Sequence, residues 1–303
     1  MSGEKTRLAF AFGHLGDSFH GSQVQPDLRT VQGRLQDVLA DLGFISRPLS
    51  NPQPLALASR TDAGVHVRMN VAAFDIDSQF WDGMQESGFI NAMNDQLEGD
   101  LVVWAATTKE KNWNPRRAES RTYRYRLDAL EDWQDVPAER LQEWLNIFVG
   151  KHDFKNFSRT DDVPDTIREI LSARPLTDKD GRIIGFEITG RAFLWNMVRR
   201  IASALVGLAK DSLQEAQVRK ALDEPQIKQD LGLVSADWLI LWEVEHPNSH
   251  LLNRSRLVDT SKKANTPPNK NLNRRAFQRW VEVARLEQKL LCHEQWDAII
   301  RAP

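Results

Sequence analysis

The chain has 303 residues with 40 Lys+Arg against 42 Asp+Glu, so no global positive field marks it as a partner of polyanions. That balance is uneven: residues 250–303 carry 11 Lys/Arg against 5 Asp/Glu, which leaves the preceding body net acidic, and any nucleic-acid contact there must come from local clustering. The single cysteine, Cys292, excludes an internal disulfide framework and a cysteine-rich metal site. No apolar run suits a membrane span or a signal peptide, so a soluble, cytoplasmic protein is expected.

In chain order, Leu8 to Phe12 reads as a short buried strand, followed by a Gly13–Ser18 loop. A helix follows with Thr30 as N-cap; Val31, Leu35, Val38, Leu39 and Leu42 recur at helical spacing and Gly43 supplies a stop. Leu55 to Ser59 is a strand candidate feeding the loop Arg60–His66, with a second strand through Val71, Ala73 and Phe74. Phe89 to Gln96 reads as a short helix and Leu101 to Ala106 as a strand. Tyr123, Tyr125 and Leu127 have period-two spacing, with Arg124 and Arg126 on the opposite face. After a polar Glu131–Pro137 link, Leu141, Trp144, Leu145 and Phe148 form a helical stripe ended by Gly150. Strands are expected at Ile167–Ala173 and Ile183–Thr189, separated by a turn-rich Pro175–Gly181, and at Trp238–Val244. A long helix is expected through Phe193, Met197, Ile201, Ala204, Leu205 and Leu208.

Both halves mix strands with helices, so the expected fold class is α+β in two lobes. The expected boundaries are 1–130 for an N-terminal lobe, 131–247 for a C-terminal lobe, and 248–303 for a basic linker with an amphipathic helix. Asn248 to Asn273 has few apolar anchors and reads as a mobile linker; Arg274 to Leu291 reads as a helix that docks back on the body or contacts RNA.

Chemistry concentrates in Ser59-Arg60-Thr61-Asp62-Ala63-Gly64-Val65-His66, which crowds Arg60, Asp62 and His66 beside a glycine that permits tight backbone approach. Asp62 fits either a turn-capping carboxylate or a nucleophile or general base held ionised by a basic partner. Arg199 is the preferred partner, because Phe193 and Met197 on its helix can fix it against the core; an ordinary surface salt bridge is the alternative. The Arg60 fork suits a phosphate or a carboxylate. His66 suits RNA contact, proton carriage or a loop-packing hydrogen bond.

Tyr123, one of only two tyrosines, offers a ring to stack on a base. Lys109, Lys111, Arg116, Arg117, Arg121, Arg124 and Arg126 in the first lobe, and Lys151, Lys155 and Arg159 in the second, outline a basic strip for backbone phosphates, or merely solvated faces. Leu239 is strand core or the wall of a nucleobase pocket. His14, His20 and His66 lack a ligand pattern completed by a carboxylate, so no metal is expected.

At these residues the chain resembles the TruA family of tRNA pseudouridine synthases. Ser59–His66 reproduces the family's nucleophile loop almost whole. Val31-Gln32, Asn91-Ala92 with Asn94, Trp113-Asn114-Pro115-Arg116, Arg121–Tyr125, Lys151-His152-Asp153-Phe154 and Phe193–Arg200 match in family order. The resemblance implies a two-lobed α+β enzyme with a central antiparallel or mixed sheet flanked by helices. It further implies action on uridines of the tRNA anticodon arm at positions 38–40, no metal or other cofactor, and a homodimer bridged by tRNA.

Carried onto this chain, the resemblance makes Asp62 the nucleophile, Arg199 its ion-pair partner and Tyr123 the ring against the target base. Arg60 belongs to the binding surface and Leu239 to the hydrophobic wall. The sequence departs from the family at His20-Gly21-Ser22, at Ser235-Ala236-Asp237-Trp238, and at Trp195 and Asn196. A noncatalytic tRNA-binding or chaperone protein, and a metal-dependent RNA hydrolase, are the competing readings.

Overall fold

The structure, a computed structural model, describes residues 4–47, 53–159, 164–178, 180–247, 265–269 and 273–301. It divides into two compact units: Met1–Glu119 with Leu241–Asp259 and Lys289–Pro303, and Ser120–Ile240 with Thr260–Gln288. Each is an antiparallel sheet flanked by helices, an α+β architecture.

In the first unit, β1 (Lys5–His14) lies between β3 (His66–Asp77) and β4 (Leu101–Lys109), antiparallel to both, and the two-residue β2 (Ala56–Leu57) adds to β3. Phe10 opposes Ala72 on one side and Ala106 on the other. Alternation along β1 sends Leu8, Phe10 and Phe12 to one face, where they join Val31, Leu35, Val38 and Leu39 of α1 (Val31–Asp41) and Phe89 and Met93 of α2 (Ser78–Gln96). Phe10 meets Phe89 at 5.5 Å and Phe74 edge-on at 6.1 Å, geometries aromatic pairs favour.

The Thr30 hydroxyl caps α1 by accepting from Gly33 N, and Gly43 at φ +76° closes it in the left-handed conformation the C-terminal turn needs. Helix α2 starts eleven residues before the sequence reading placed it. Its first half offers only Phe80, Trp81 and Met84, none of them fully buried, and a non-helical Gln85 breaks the period in the middle.

In the second unit, β5 (Ser120–Arg126) pairs with β8 (Ile183–Gly190), which pairs with β7 (Ile167–Thr177), which pairs with β6 (Gly150–Asp153), all antiparallel. Strand β7 runs on through Pro175, opposite Phe186, so the turn is shorter than expected. Asp178 makes it by accepting from the amides of Asp180 and Arg182. Helix α3 (Ala138–Asn146) buries the expected Leu141, Trp144 and Leu145. Helix α4 begins at Met197 and ends at Ala209, so Phe193 precedes it; Asn196, left-handed at φ 64°, marks the entry. Helix α5 (Glu215–Asp223) escaped the sequence reading because only Val218, Ala221 and Leu222 are buried along it.

Strand β9 (Leu239–Glu245) follows a 3-10 turn that takes Trp238 out of the expected strand. Residues 248–264 and 270–272 of the expected linker lie outside the described residues. The final helix, α6 (Arg274–Arg301), extends ten residues beyond Leu291. Its Phe277, Trp280 and Ala284 are buried in the second unit, and its Cys292, Gln295, Trp296 and Ile299 in the first.

Candidate active site

The loop between β2 and β3 is fastened through its backbone to the segment after β1. Thr61 N donates to the Ser22 hydroxyl at 2.8 Å, Ser22 N returns a bond to Thr61 O at 3.0 Å, and Gly64 N donates to Gly16 O at 3.2 Å. Inside the loop Val65 N reaches Asp62 O at 3.3 Å, with Gly64 at φ +85°. A side chain on Gly16 would collide with the backbone of Gly64 and Val65, so glycine is what lets the two segments touch. Asn70 ties down the start of the loop, accepting from Ser59 N at 3.2 Å and donating to Ser59 O at 2.9 Å. The result is a rigid loop carrying a half-buried Asp62 beside an exposed Arg60.

His66 sits at 4% exposure and uses Nδ1 to accept from Gly16 N at 3.2 Å. Of the three roles open to it from sequence, this geometry is the loop-packing one, and accepting there leaves the ring proton on Nε2. His14 lies in the same wall, edge-on to Phe19 at 5.5 Å. Burial takes its imidazole from the ordinary 6.5 to about 3, against the opposing effect of the Leu15 backbone.

The sign for stability follows from that depressed value. Above pH 6.5 neither state binds the proton. From there down to about 3 the unfolded chain takes it up and the folded chain does not. His14 therefore makes stability fall with acid by roughly 1.4 kcal/mol per pH unit in that window. His14→Phe is expected to lose that dependence, seen as a flatter acid limb in urea midpoints plotted against pH; parallel limbs for the two proteins would refute it.

Also in the first unit, Arg116 is exposed on the Trp113–Arg117 turn, where its N–H donates to Asn114 Oδ1 at 3.0 Å. In the second unit, Tyr123 is largely buried in β5 and meets Phe193 edge-on at 4.9 Å. Its strand neighbour Tyr125 is fully buried and donates to Ser235 O at 2.8 Å; burial pushes that phenol far above its usual range. Arg121 reaches Arg191 O at 2.6 Å, and burial lowers its pKa.

Arg124 is committed to Glu187 at 2.7 Å, a pair with little exposure on either side, which favours the structural reading of its charge. Arg199 is half-buried at the start of α4, donating from Nε to Val234 O at 2.8 Å and from Nη1 to Asn196 Oδ1 at 3.1 Å. Two such bonds fix the fork's direction. Lys151 and Lys155 are exposed on and just beyond β6, and Leu239 is buried at the start of β9.

Ser22 and Gly16 were named in the sequence only as parts of a loop and of a departure from the family pattern, with no role given, although they hold the Asp62 loop. The signal for them was the departure at His20-Gly21-Ser22, where Gly21 takes φ +86° and Ser22 supplies the hydroxyl. Among the described residues no group of three or more His, Cys, Asp or Glu is placed to hold a metal ion. No described helix is long and apolar enough to cross a membrane.

Residues 145–247 match the family model described as tRNA pseudouridine synthase. The chain is 38% identical over 207 residues to tRNA pseudouridine synthase A of Methanosarcina barkeri, covering 67% of this chain and 71% of that protein. It is 34% identical over 241 residues to the Archaeoglobus fulgidus protein of the same name, covering 79% and 83%. With the Thermosipho africanus protein the identity is 32% over 250 residues, covering 78% and 98%. At these identities and coverages the chain belongs to the TruA family of tRNA pseudouridine synthases.

Proposed function

We propose that the protein isomerises uridine to pseudouridine in the tRNA anticodon arm, at positions 38–40, with Asp62 as nucleophile. The observation that carries this reading is the Asp62 loop itself: a half-buried carboxylate on a segment held still by bonds to Gly16 and Ser22. A nucleophile gains from such preorganisation, whereas a turn-capping aspartate has no need of a second segment to fix its turn.

In the reaction the N1–C1′ bond of uridine breaks, the uracil rotates in place, and C5 bonds to C1′. The C5 proton is lost and N1 gains one, so composition is unchanged and no cofactor is consumed. Asp62 makes the attack, on either base or sugar. Arg199, with its fork directed by Val234 O and Asn196, supplies the cation, and Tyr123, propped by Phe193, the ring against the base. Leu239 lines the base pocket. Arg60, Arg116, Lys151 and Lys155, exposed on their elements, serve the phosphate backbone. Arg121, Arg124 and His66 contribute to the RNA-binding surface through the elements they fix. The protein works in the cytoplasm as a homodimer bridged by tRNA.

The test is nucleotide-resolution mapping of an unmodified tRNA after incubation with the protein and a chelator. Pseudouridine at one or more of positions 38–40, with RNA mass unchanged, is expected. Cleaved RNA would point instead to a hydrolase, and bound but unmodified RNA to a binding module. Pseudouridine confined to another arm would overturn the positional assignment.

A further inference from the structure

Of the ten tryptophans, nine are buried or half-buried; Trp195 stands 53% exposed. An indole left in water forfeits more apolar burial than any other side chain, so its placement asks for an occupant. The ring is not loose. The Arg159 guanidinium lies 4.6 Å from its centroid, and Arg159 N donates to Trp195 O at 3.1 Å, so one residue holds both backbone and ring.

The flanking residues anchor the segment on either side: Leu194 is buried, and Met197 N closes a turn on Leu194 O at 3.1 Å. Two residues before Trp195, Phe193 supports Tyr123. One residue after it, Asn196 accepts from Arg199. A single short segment thus positions the proposed base-stacking ring, the proposed catalytic cation and one further aromatic surface. Lys155 and Arg159, both exposed, add positive charge from the segment after β6.

We propose that Trp195, backed by Arg159, is a stacking platform for an unpaired nucleobase of the tRNA next to the target uridine. This rests on the reading that Tyr123 and Arg199 serve an unstacked uridine. A flat ring with a cation on it accepts a base by stacking and draws in the adjoining phosphate, and such stacking is tolerant of base identity. Displacing a uridine from its stack leaves its neighbour with an uncovered face, and an exposed indole replaces the lost contact. The platform therefore lowers the cost of base displacement while leaving the chemical step to other residues.

The test compares wild type, Trp195→Ala and Trp195→Phe on unmodified tRNA, and on tRNAs carrying one abasic nucleotide beside the target. Trp195→Ala is expected to raise KM roughly 10-fold or more, as loss of one stacked base does, with kcat little changed. Trp195→Phe restores most of the affinity. One abasic tRNA reproduces the KM increase with wild type and shows no further increase with Trp195→Ala, because the two changes remove the same contact.

Unchanged thermal melting of Trp195→Ala is expected from an exposed side chain and separates lost binding from lost folding. A wild-type KM for Trp195→Ala, or additive effects with every abasic tRNA, would overturn the platform. An inactive wild type would overturn the proposed function instead; the same variants' tRNA affinity, measured by filter binding, would still decide on Trp195.

Discussion

Asp62→Ala and Asp62→Asn proteins are expected to form pseudouridine slower than wild type by on the order of 10⁴-fold or more, the scale on which removal of a nucleophile is felt. Their tRNA dissociation constants are expected to stay within a few-fold of wild type. The separation follows from how the loop is built. Its fastening bonds run from Thr61 N to Ser22 Oγ, from Gly64 N to Gly16 O, and from Gly16 N to His66 Nδ1, none of them through the Asp62 carboxylate. Those bonds are still available to the loop when the carboxylate is removed, and the exposed basic side chains are untouched by the change.

The asparagine variant isolates the charge, since it retains size and hydrogen-bonding reach but lacks an anionic oxygen to attack. Single-turnover formation of pseudouridine with enzyme in excess, alongside equilibrium binding, measures both quantities. A rate within about ten-fold of wild type in either variant would remove Asp62 from the role of nucleophile, since lost transition-state stabilisation of that size is under about 1.4 kcal/mol.

The framework around this loop was legible in the chain to an uneven degree, for physical reasons. Strand β1 and helix α1 declare themselves, because Leu8, Phe10 and Phe12 alternate and Thr30, the α1 stripe and Gly43 are all local signals. Helix α2 was half legible, since before the non-helical Gln85 it has a single short cluster, Phe80, Trp81 and Met84, that is only partly buried and out of phase with Phe89 and Met93 across the break. The Asp62 loop stood out by the crowding of ionisable groups, but what fastens it comes from Gly16 and Ser22, some forty to fifty residues upstream, and nothing in either local pattern ties the two segments together.

The arginines of β5 show the opposite failure. Arg124 and Arg126 read as a basic face, yet Arg124 is engaged by Glu187, and Arg126 by Asp128 and Glu287. Asp128 is near in sequence, but Glu187 and Glu287 arrive through sheet pairing and the return of the C-terminal helix. Period-two spacing correctly placed Tyr123 and Tyr125 on one face. It could not distinguish the fully buried Tyr125, bonded to Ser235, from Tyr123 beside Phe193.

The C-terminal helix is where the sequence reading stopped short and where the largest loss of stability is expected. Trp296 lies beyond the predicted end at Leu291, at 3% exposure, and its indole N–H donates to Arg68 O at 3.0 Å. The ring fills the space above Gly13, where any β-carbon would collide with it. One turn of contacts adds to this: Arg68, buried at 2% in β3, donates to Gln295 Oε1 at 2.9 Å and to Trp242 O at 3.2 Å, with its guanidinium 4.5 Å from the Trp242 ring.

Trp296→Ala removes the filling side chain and leaves a strand carbonyl without its donor. The expected cost is about 3–5 kcal/mol, the range for truncating a buried large aromatic, seen as a lower urea midpoint at unchanged slope. Leu290→Ala on the same helix removes a side chain that is 55% exposed, and is expected to change stability by less than about 0.5 kcal/mol.

A Trp296→Ala protein within about 1 kcal/mol of wild type would mean that the indole merely rests on the strand, because a packed site cannot lose that volume so cheaply. If the loss is found, it bears on function through position alone. Arg68 stands two residues past His66 in β3, so the end of α6 braces the strand onto which the Asp62 loop opens. The variant is then expected to retain kcat well below its melting temperature and to lose activity at the temperature where the brace fails. Activity falling together with the shifted melting curve would identify α6 as structural support for the loop.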